Sequence, residues 1–420
     1  FYFIPYELNM EKSQTMIDLA SGSPHGAGIA PISFVRQVLA ASLHPVLLQD
    51  DTFPPDVRQR AQQVLDTCPG GSVGVYSSSA VGMPYVLQQI AAFISRRDGG
   101  VPAHPSNILF HSGSQSLLKF VLNLLSSGRD EVQNGVLTPV PYPHTLPRLL
   151  QFHSLALVPY KLKQEQDWAV DMEQLHRAVT DARAHCNPRA LFICNPGMPT
   201  GQVQDRKTIE RIIRFAAAEG LLLLVQEFYQ DCVYGPDIEF LSYRKVLFEM
   251  GQEYSEHMEL ISFNSLSNGS LGECGLRGGY MELVNTDKAV YERLNVLSAL
   301  IASPVLTQFA LEIMINPPIP GEPSYQKYSQ ISLIQSTLSQ NAQRGYEVLN
   351  NLKGVRCQPV MGGFFLYPRI DFPTRMIEEA KMLGLPADVL YCQMLLDKTG
   401  VAVGAGYENG SNDNTCYYIR

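Results

Sequence analysis

Residues 262–280 read Ser-Phe-Asn-Ser-Leu-Ser-Asn-Gly-Ser-Leu-Gly-Glu-Cys-Gly-Leu-Arg-Gly-Gly-Tyr, and the rest of the chain can be placed around them. The apolar run Glu259–Phe263 leads into this stretch and has the length and composition of a buried strand. Gly269, Gly272, Gly275, Gly278 and Gly279 then follow, a glycine density that marks tight turns with exposed backbone N–H groups. Ser265 and Arg277 stand among them, a hydroxyl and a guanidinium of the kind that hold a phosphate.

Working outward, strands and helices alternate. Ile108–Phe110 is a predicted strand, 111–115 a turn, and Leu117–Leu125 a helix. Short apolar runs at 136–138, 155–158, 190–194 and 221–225 read as further strands, with helices over Met172–His185 and Lys207–Glu219 between them. Upstream, helices are expected over Ile32–Leu48, Pro54–Cys68 and Tyr85–Arg97. This alternation predicts an α/β domain with a mainly parallel sheet covered on both faces, its ligand site at the carboxyl ends of the strands. Beyond Lys288 come helices at 288–301 and 304–316, the Pro317–Pro323 run, a long polar helix to about Leu352, and short strands near Val355 and at Gly362–Tyr367. Helices near 374–383 and 387–399 and strands at 401–403 and 416–419 complete it. The expected organisation is an arm with first helices (1–70), a large domain (71–300) and a smaller α+β domain (301–420), part of the arm joining the last.

The chain has 420 residues, 45% hydrophobic and 17% charged, with a net charge of −8. That describes a globular protein with a large core, and no basic block or arginine stripe speaks for nucleic acid. No apolar run approaches the ~20 residues of a membrane span. The eight cysteines are scattered without metal-ligand spacing and read as reduced, buried thiols. His111, His144 and His153 fit no ligand pattern either and read as surface or hydrogen-bonded residues.

The motif Ser265-Leu-Ser-Asn-Gly269 followed by Gly272-Glu-Cys-Gly-Leu-Arg-Gly-Gly-Tyr280 resembles the cofactor-anchoring segment of alanine aminotransferases, in the class I/II pyridoxal-phosphate (PLP) family. The resemblance extends from about Pro31 to Arg420 and includes Ser95–Pro102, Asn195–Gly201 and Gly201–Gln204. It implies the fold-type-I PLP-transferase architecture, α/β with a smaller α+β domain, usually as a homodimer.

It also implies site residues. Gly113, Ser114, Gln115, Ser265 and Arg277 fall at phosphate-binding positions, Tyr76 at the tyrosine that reaches across the dimer, and Tyr229 beside the ring hydroxyl. Arg420, in Cys416–Arg420, falls at the substrate-carboxylate arginine; a solvated terminal charge is the alternative reading. Three positions depart from the pattern. Asn268 stands where the family has its lysine, so no catalytic residue is assigned. Gln226 replaces the acid that pairs with the pyridine nitrogen, and Met198 replaces the asparagine that donates to the ring. An amide is neither the nucleophile nor the base that transamination needs.

The expected function is accordingly a pseudoenzyme, inactive in transamination and kept for a structural or assembly role as a homodimer or a subunit of a larger complex. The expected cofactor state is none, with PLP or another phosphate ligand held without a covalent link as the alternative. A PLP- or phosphometabolite-binding enzyme with altered chemistry is the second reading. The resemblance points to the mitochondrial matrix or the cytoplasm, with the mitochondrion favoured.

Overall fold

A computed structural model describes residues 16–420 except 27, 78, 127–131, 236, 268, 270, 271, 329 and 412–415. Its first elements are the short strand β1 (Ile17–Asp18) and helices α1 (Ser33–Leu43), α2 (Pro55–Asp66) and α3 (Pro84–Arg97). The helix expected over 32–48 stops at Leu43, where Pro45 forbids continuation and a 3-10 turn takes over.

Strand β2 (Ile108–His111) leads through Gly113 into α4 (Ser114–Ser126), and β3 (Asn134–Val140) into α5 (Leu146–Phe152). Then come β4 (Ala156–Lys163), β5 (Ala169–Val170), α6 (Met172–Ala182), β6 (Asn187–Cys194), α7 (Arg206–Glu219) and β7 (Leu222–Gln226). Helices α8 (Tyr243–Glu249) and α9 (Gln252–Ser255) precede β8 (Leu260–Ser265) and β9 (Gly279–Val284). These strands form one eight-stranded sheet in the order β2-β9-β8-β7-β6-β3-β4-β5. Pairing is parallel from β8 across to β4, and antiparallel at β9 and at the edge strand β5. The mainly parallel sheet is as expected. Strand β9 was hidden in the sequence because its first residues, Gly279 and Tyr280, belong to the glycine-dense stretch.

Local chemistry sets the helix ends. Asp205 caps α7 by accepting from the Thr208 N–H at 2.8 Å, and Gly220 ends it at φ 67°. Such a cap stabilises by about 1 kcal/mol. The helix buries Ile209, Ile212, Ile213, Phe215 and Ala216 at helical spacing, while β7 is apolar up to its last residue, Gln226, because both its faces are covered.

Helices α10 (Lys288–Ala299) and α11 (Val305–Ile315) follow the sheet. Phe309, Ala310, Ile313 and Met314 of α11 share one core with Val35 and Val38 of α1, Val57 and Val64 of α2, and Val86 and Ile90 of α3. The expected boundaries at 70 and 301 therefore do not follow the packing: α1, α2 and α11 belong to the main core. Helices α12 (Tyr325–Tyr328), α13 (Gln330–Asn350), α14 (Thr374–Met382) and α15 (Ala387–Thr399) accompany β10 (Val355–Arg356), β11 (Arg369–Ile370), β12 (Val401–Ala402) and β13 (Tyr417–Tyr418). Strands β10, β11 and β13 form a small antiparallel sheet, and β1 pairs with β12 in a separate two-stranded one. The expected strand over 362–367 is absent. Gly362 makes a single bridge to Val233, and the strand proper begins at Arg369.

Candidate functional site

The carboxyl ends of β6, β7 and β8 meet at one edge of the sheet, where β2 turns into α4 and where β9, running the other way, begins. A ligand belongs at this edge. On one side stands an anion cradle. Gly113 takes φ 93°, outside the range other residues prefer, and opens the N-terminus of α4 at Ser114. Arg277 sits at φ 52°, in the left-handed region, and its Nη2 lies 3.4 Å from where a Cβ on Gly113 would project. The same guanidinium donates to the Cys274 carbonyl at 3.4 Å. A Cβ on Gly279 would come within 2.8 Å of the Ser114 nitrogen, so this glycine lets β9 approach the backbone of the cradle.

Ser265 is buried. Its Oγ accepts from the Ser267 N–H at 3.0 Å and donates to the Gly278 carbonyl at 3.4 Å, tying the two ends of the anchoring loop. Gln115, expected in the cradle, instead donates its amide to Thr145 Oγ1 at 3.0 Å and fixes α4 to the start of α5. Tyr76 stands 90% exposed, away from the interior of the chain. Asn268 lies outside the described residues.

The far side of the site is formed by Gln226, Met198 and Tyr229. Gln226 ends β7, buried, and donates its Nε2–H to Met198 Sδ at 3.8 Å. Met198 is half-buried in the loop after β6, which Gly197 and Gly201 close through a backbone bond of 3.0 Å. Tyr229 is buried and meets Phe364 edge-on at 5.7 Å, and burial raises its phenol pKa, so it stays protonated.

Arg420 is not a solvated charge: its side chain is 4% exposed. Its Nη1 lies 2.7 Å from His144 Nδ1, its Nη2 3.6 Å from Glu408, and its guanidinium carbon 5.5 Å from the Phe365 ring centroid. His144, expected as a surface or hydrogen-bonded residue, is the nearest nitrogen partner of that arginine. His111 Nε2–H donates to the Ile301 carbonyl at 2.6 Å and the ring packs edge-on against Phe120, so it is structural. Among the described residues no group of histidines, cysteines and acids could hold a metal ion, no helix is long and apolar enough to cross a membrane, and all the cysteines are free thiols.

Two supports of the site were not legible in advance. Glu273, buried in the anchoring loop, is held by Arg36 Nη2 at 2.7 Å and Nε at 3.1 Å, with His25 Nε2 at 3.4 Å. Behind Gln226, Glu227 accepts from the Tyr243 N–H at 2.9 Å and lies 3.9 Å from Arg97, which also grips Asp98. Arg244 bridges Asp98 and Glu282 at 3.2 and 2.9 Å. The run Ser95–Gly100 carries two members of this network, but nothing in its spacing names their partners.

Gly113, Ser114 and Arg277 come together at a helix start, a combination that suits the phosphate end of PLP, and Ser265 pairs with Gly279 on the strand beside them. Gln226 is a neutral amide and offers the ring no acid.

The sequence profile described as "Aminotransferase class I and II" matches residues 46–415. Alanine aminotransferase 2 of Xenopus tropicalis is 44% identical over 400 residues, covering 94% of this chain and 76% of that protein. Human alanine aminotransferase 1 is 42% identical over 402 residues, covering 95% and 80%. Among solved structures, an alanine aminotransferase from Pyrococcus furiosus superposes with a TM-score of 0.75 at 18% identity, covering 97% of this chain and 87% of that one. These matches overturn the expectation that no cofactor is held, because the family they identify is PLP-dependent. The chain belongs to the class I and II aminotransferases.

Proposed function

We propose that this chain is a pseudoenzyme of the aminotransferase family: it holds PLP at the cradle, does not transaminate, and serves a structural or assembly role. The observation that carries this is the contact between Gln226 and Met198. The two side chains are in contact with each other, and neither supplies the acid or the asparagine that the family pattern has at these positions. PLP, when bound, supplies an electron sink for chemistry at an amino-acid α-carbon. The chain's own residues divide into those that bind and those that would move protons. Gly113, Ser114, Ser265 and Arg277 bind. At residue 268 an asparagine can neither attack a carbonyl nor carry the α-proton.

Members of the family are typically homodimers, and a dimeric fold with a relaxed pocket makes a serviceable scaffold. The resemblance favours the mitochondrial matrix over the cytoplasm as its place of work. A second reading, a PLP enzyme with altered chemistry, is favoured by the buried Arg420, still poised to meet a carboxylate.

The test is turnover of alanine with 2-oxoglutarate by the purified full chain in saturating PLP. Background rates together with a saturable change in the PLP spectrum support the proposal. Turnover at roughly 1 s⁻¹ or above, the ordinary range of enzymes, overturns it.

A further inference from the structure

Between α2, α3 and α11 and the proline run 317–320 lies an open cavity of about 1050 Å³. That is at the upper end of the volumes that hold small organic ligands. The back of the anchoring loop, Ser265 and Leu266, forms part of its wall, whereas Gly113, Arg277, Gln226, Met198 and Tyr229 do not. It adjoins the cradle at Ser265 but shares neither Gly113 nor Arg277 with it.

The wall is mainly apolar, with Tyr85, Phe93, Phe240, Leu311, Met314 and Pro318 among its residues. Against this stand a few polar groups whose bonding is uneven. Arg97 is fully engaged with Asp98 and Gln230, and Arg60 reaches Glu312 Oε1 at 3.2 Å. Asp231 turns its carboxylate toward Gly269, where a Cβ would meet Oδ1 at 2.5 Å. Arg96 differs: it donates only to the Ile315 carbonyl at 3.3 Å and to Asn316 Oδ1 at 2.9 Å, with no carboxylate among the described ion pairs. Its guanidinium lies exposed at the wall.

We propose that this cavity binds a small aromatic anion, its planar body between the aromatic and proline side chains and its acidic group on Arg96. Arginine is suited to the role because its planar fork pairs with sulfonate, carboxylate or phosphate oxygens and is weakly hydrated. The flat body matches the slot better than an aliphatic chain would, since rings stack on Phe and Tyr faces.

The test titrates the full chain with 1-anilinonaphthalene-8-sulfonate, which carries a naphthalene and a sulfonate, and reads its fluorescence. The expected result is saturable binding of one dye per chain, weakened about tenfold by Arg96→Glu. Met314→Trp, which adds bulk to one wall, weakens binding as well. PLP titration of the same variants reads the other site and stays unchanged, so failure here and failure of the proposed function are told apart. Should Met314→Trp fail to fold, Arg96→Glu, at an exposed position, still decides. No saturable binding up to ~1 mM, the limit of specific small-ligand affinity, or binding indifferent to Arg96→Glu, overturns the proposal.

Discussion

Gln226 Nε2 donates to Met198 Sδ at 3.8 Å, so two residues that depart from the family pattern depart from it as a pair. A thioether is a weak acceptor, and the bond adds little stability of its own. Its consequence is geometric. The amide closes the end of β7 against the loop after β6, where an acid in the same place would turn toward a protonated ring. A single substitution elsewhere in the site leaves this closure in place.

Asn268→Lys alone is therefore expected not to restore transamination. The triple change Asn268→Lys, Gln226→Asp and Met198→Asn returns the amine, the acid and the amide donor together, and is expected to raise alanine–2-oxoglutarate turnover at least about a hundredfold over the single variant. A coupled pyruvate assay on both proteins decides. Robust turnover by the single variant would sink the account.

The cradle yields a different prediction. Gly113 holds φ 93° with Arg277 Nη2 3.4 Å from its missing Cβ. Gly113→Ala must strain the backbone, at about 1–3 kcal/mol, and crowd the guanidinium. PLP affinity, followed by absorbance titration, should fall at least about tenfold, with a comparable fall in Arg277→Ala, which removes the charge instead. Unchanged affinity in both would show that phosphate binds elsewhere.

How much of this could be read beforehand divides by physical range. Strand and helix identity followed from local apolar periodicity, as in β6, β7 and α7, where a face or a whole strand is buried. Gly362–Tyr367 misled because its apolar residues pack around Tyr229 and Trp168 without pairing in a sheet. Strand β9 was masked by glycines that are small for contact reasons: a Cβ on Gly278 would strike Leu266 at 2.5 Å. In the site, residue types were visible and partners were not. Gln115 has a cradle address but bonds Thr145, and His144 looks isolated until Arg420, 276 residues on, reaches it. Pairings this far apart leave no trace in spacing.

The anchoring loop depends on one such pairing. Glu273 is 2% exposed, and Arg36 supplies it with a two-bond clamp. Arg36→Ala leaves the carboxylate with His25 alone, and because Arg36 is itself half exposed the loss should be about 1–3 kcal/mol. Thermal unfolding measures it. Arg36→Lys, which keeps the charge but not the fork, should recover only part, whereas full recovery would mean that charge rather than geometry holds the loop.

Glu227 makes the stability of the fold depend on pH. Burial pushes its carboxyl up to about 7, with Arg97 pulling the other way. Between about pH 4.5 and 7 the folded chain therefore holds a proton that the unfolded chain has released. By linkage, stability contributed at this group falls as pH rises through that window and is level above it, on the order of 3 kcal/mol in all. Asp388, pushed up to about 6 by burial, acts in the same direction over its own lower window. His144 acts the opposite way, because its surroundings and the Arg420 charge hold its pKa down to about 4. The raw pH curve therefore mixes signs, and the difference between wild type and Glu227→Gln isolates the one group. Glutamine keeps the acceptor for the Tyr243 N–H and cannot ionise. The expected outcome is a variant that gains on wild type as pH rises from 5 to 8 in denaturant unfolding. A variant that loses ground over that range would show Glu227 to be ionised throughout and held by Arg97.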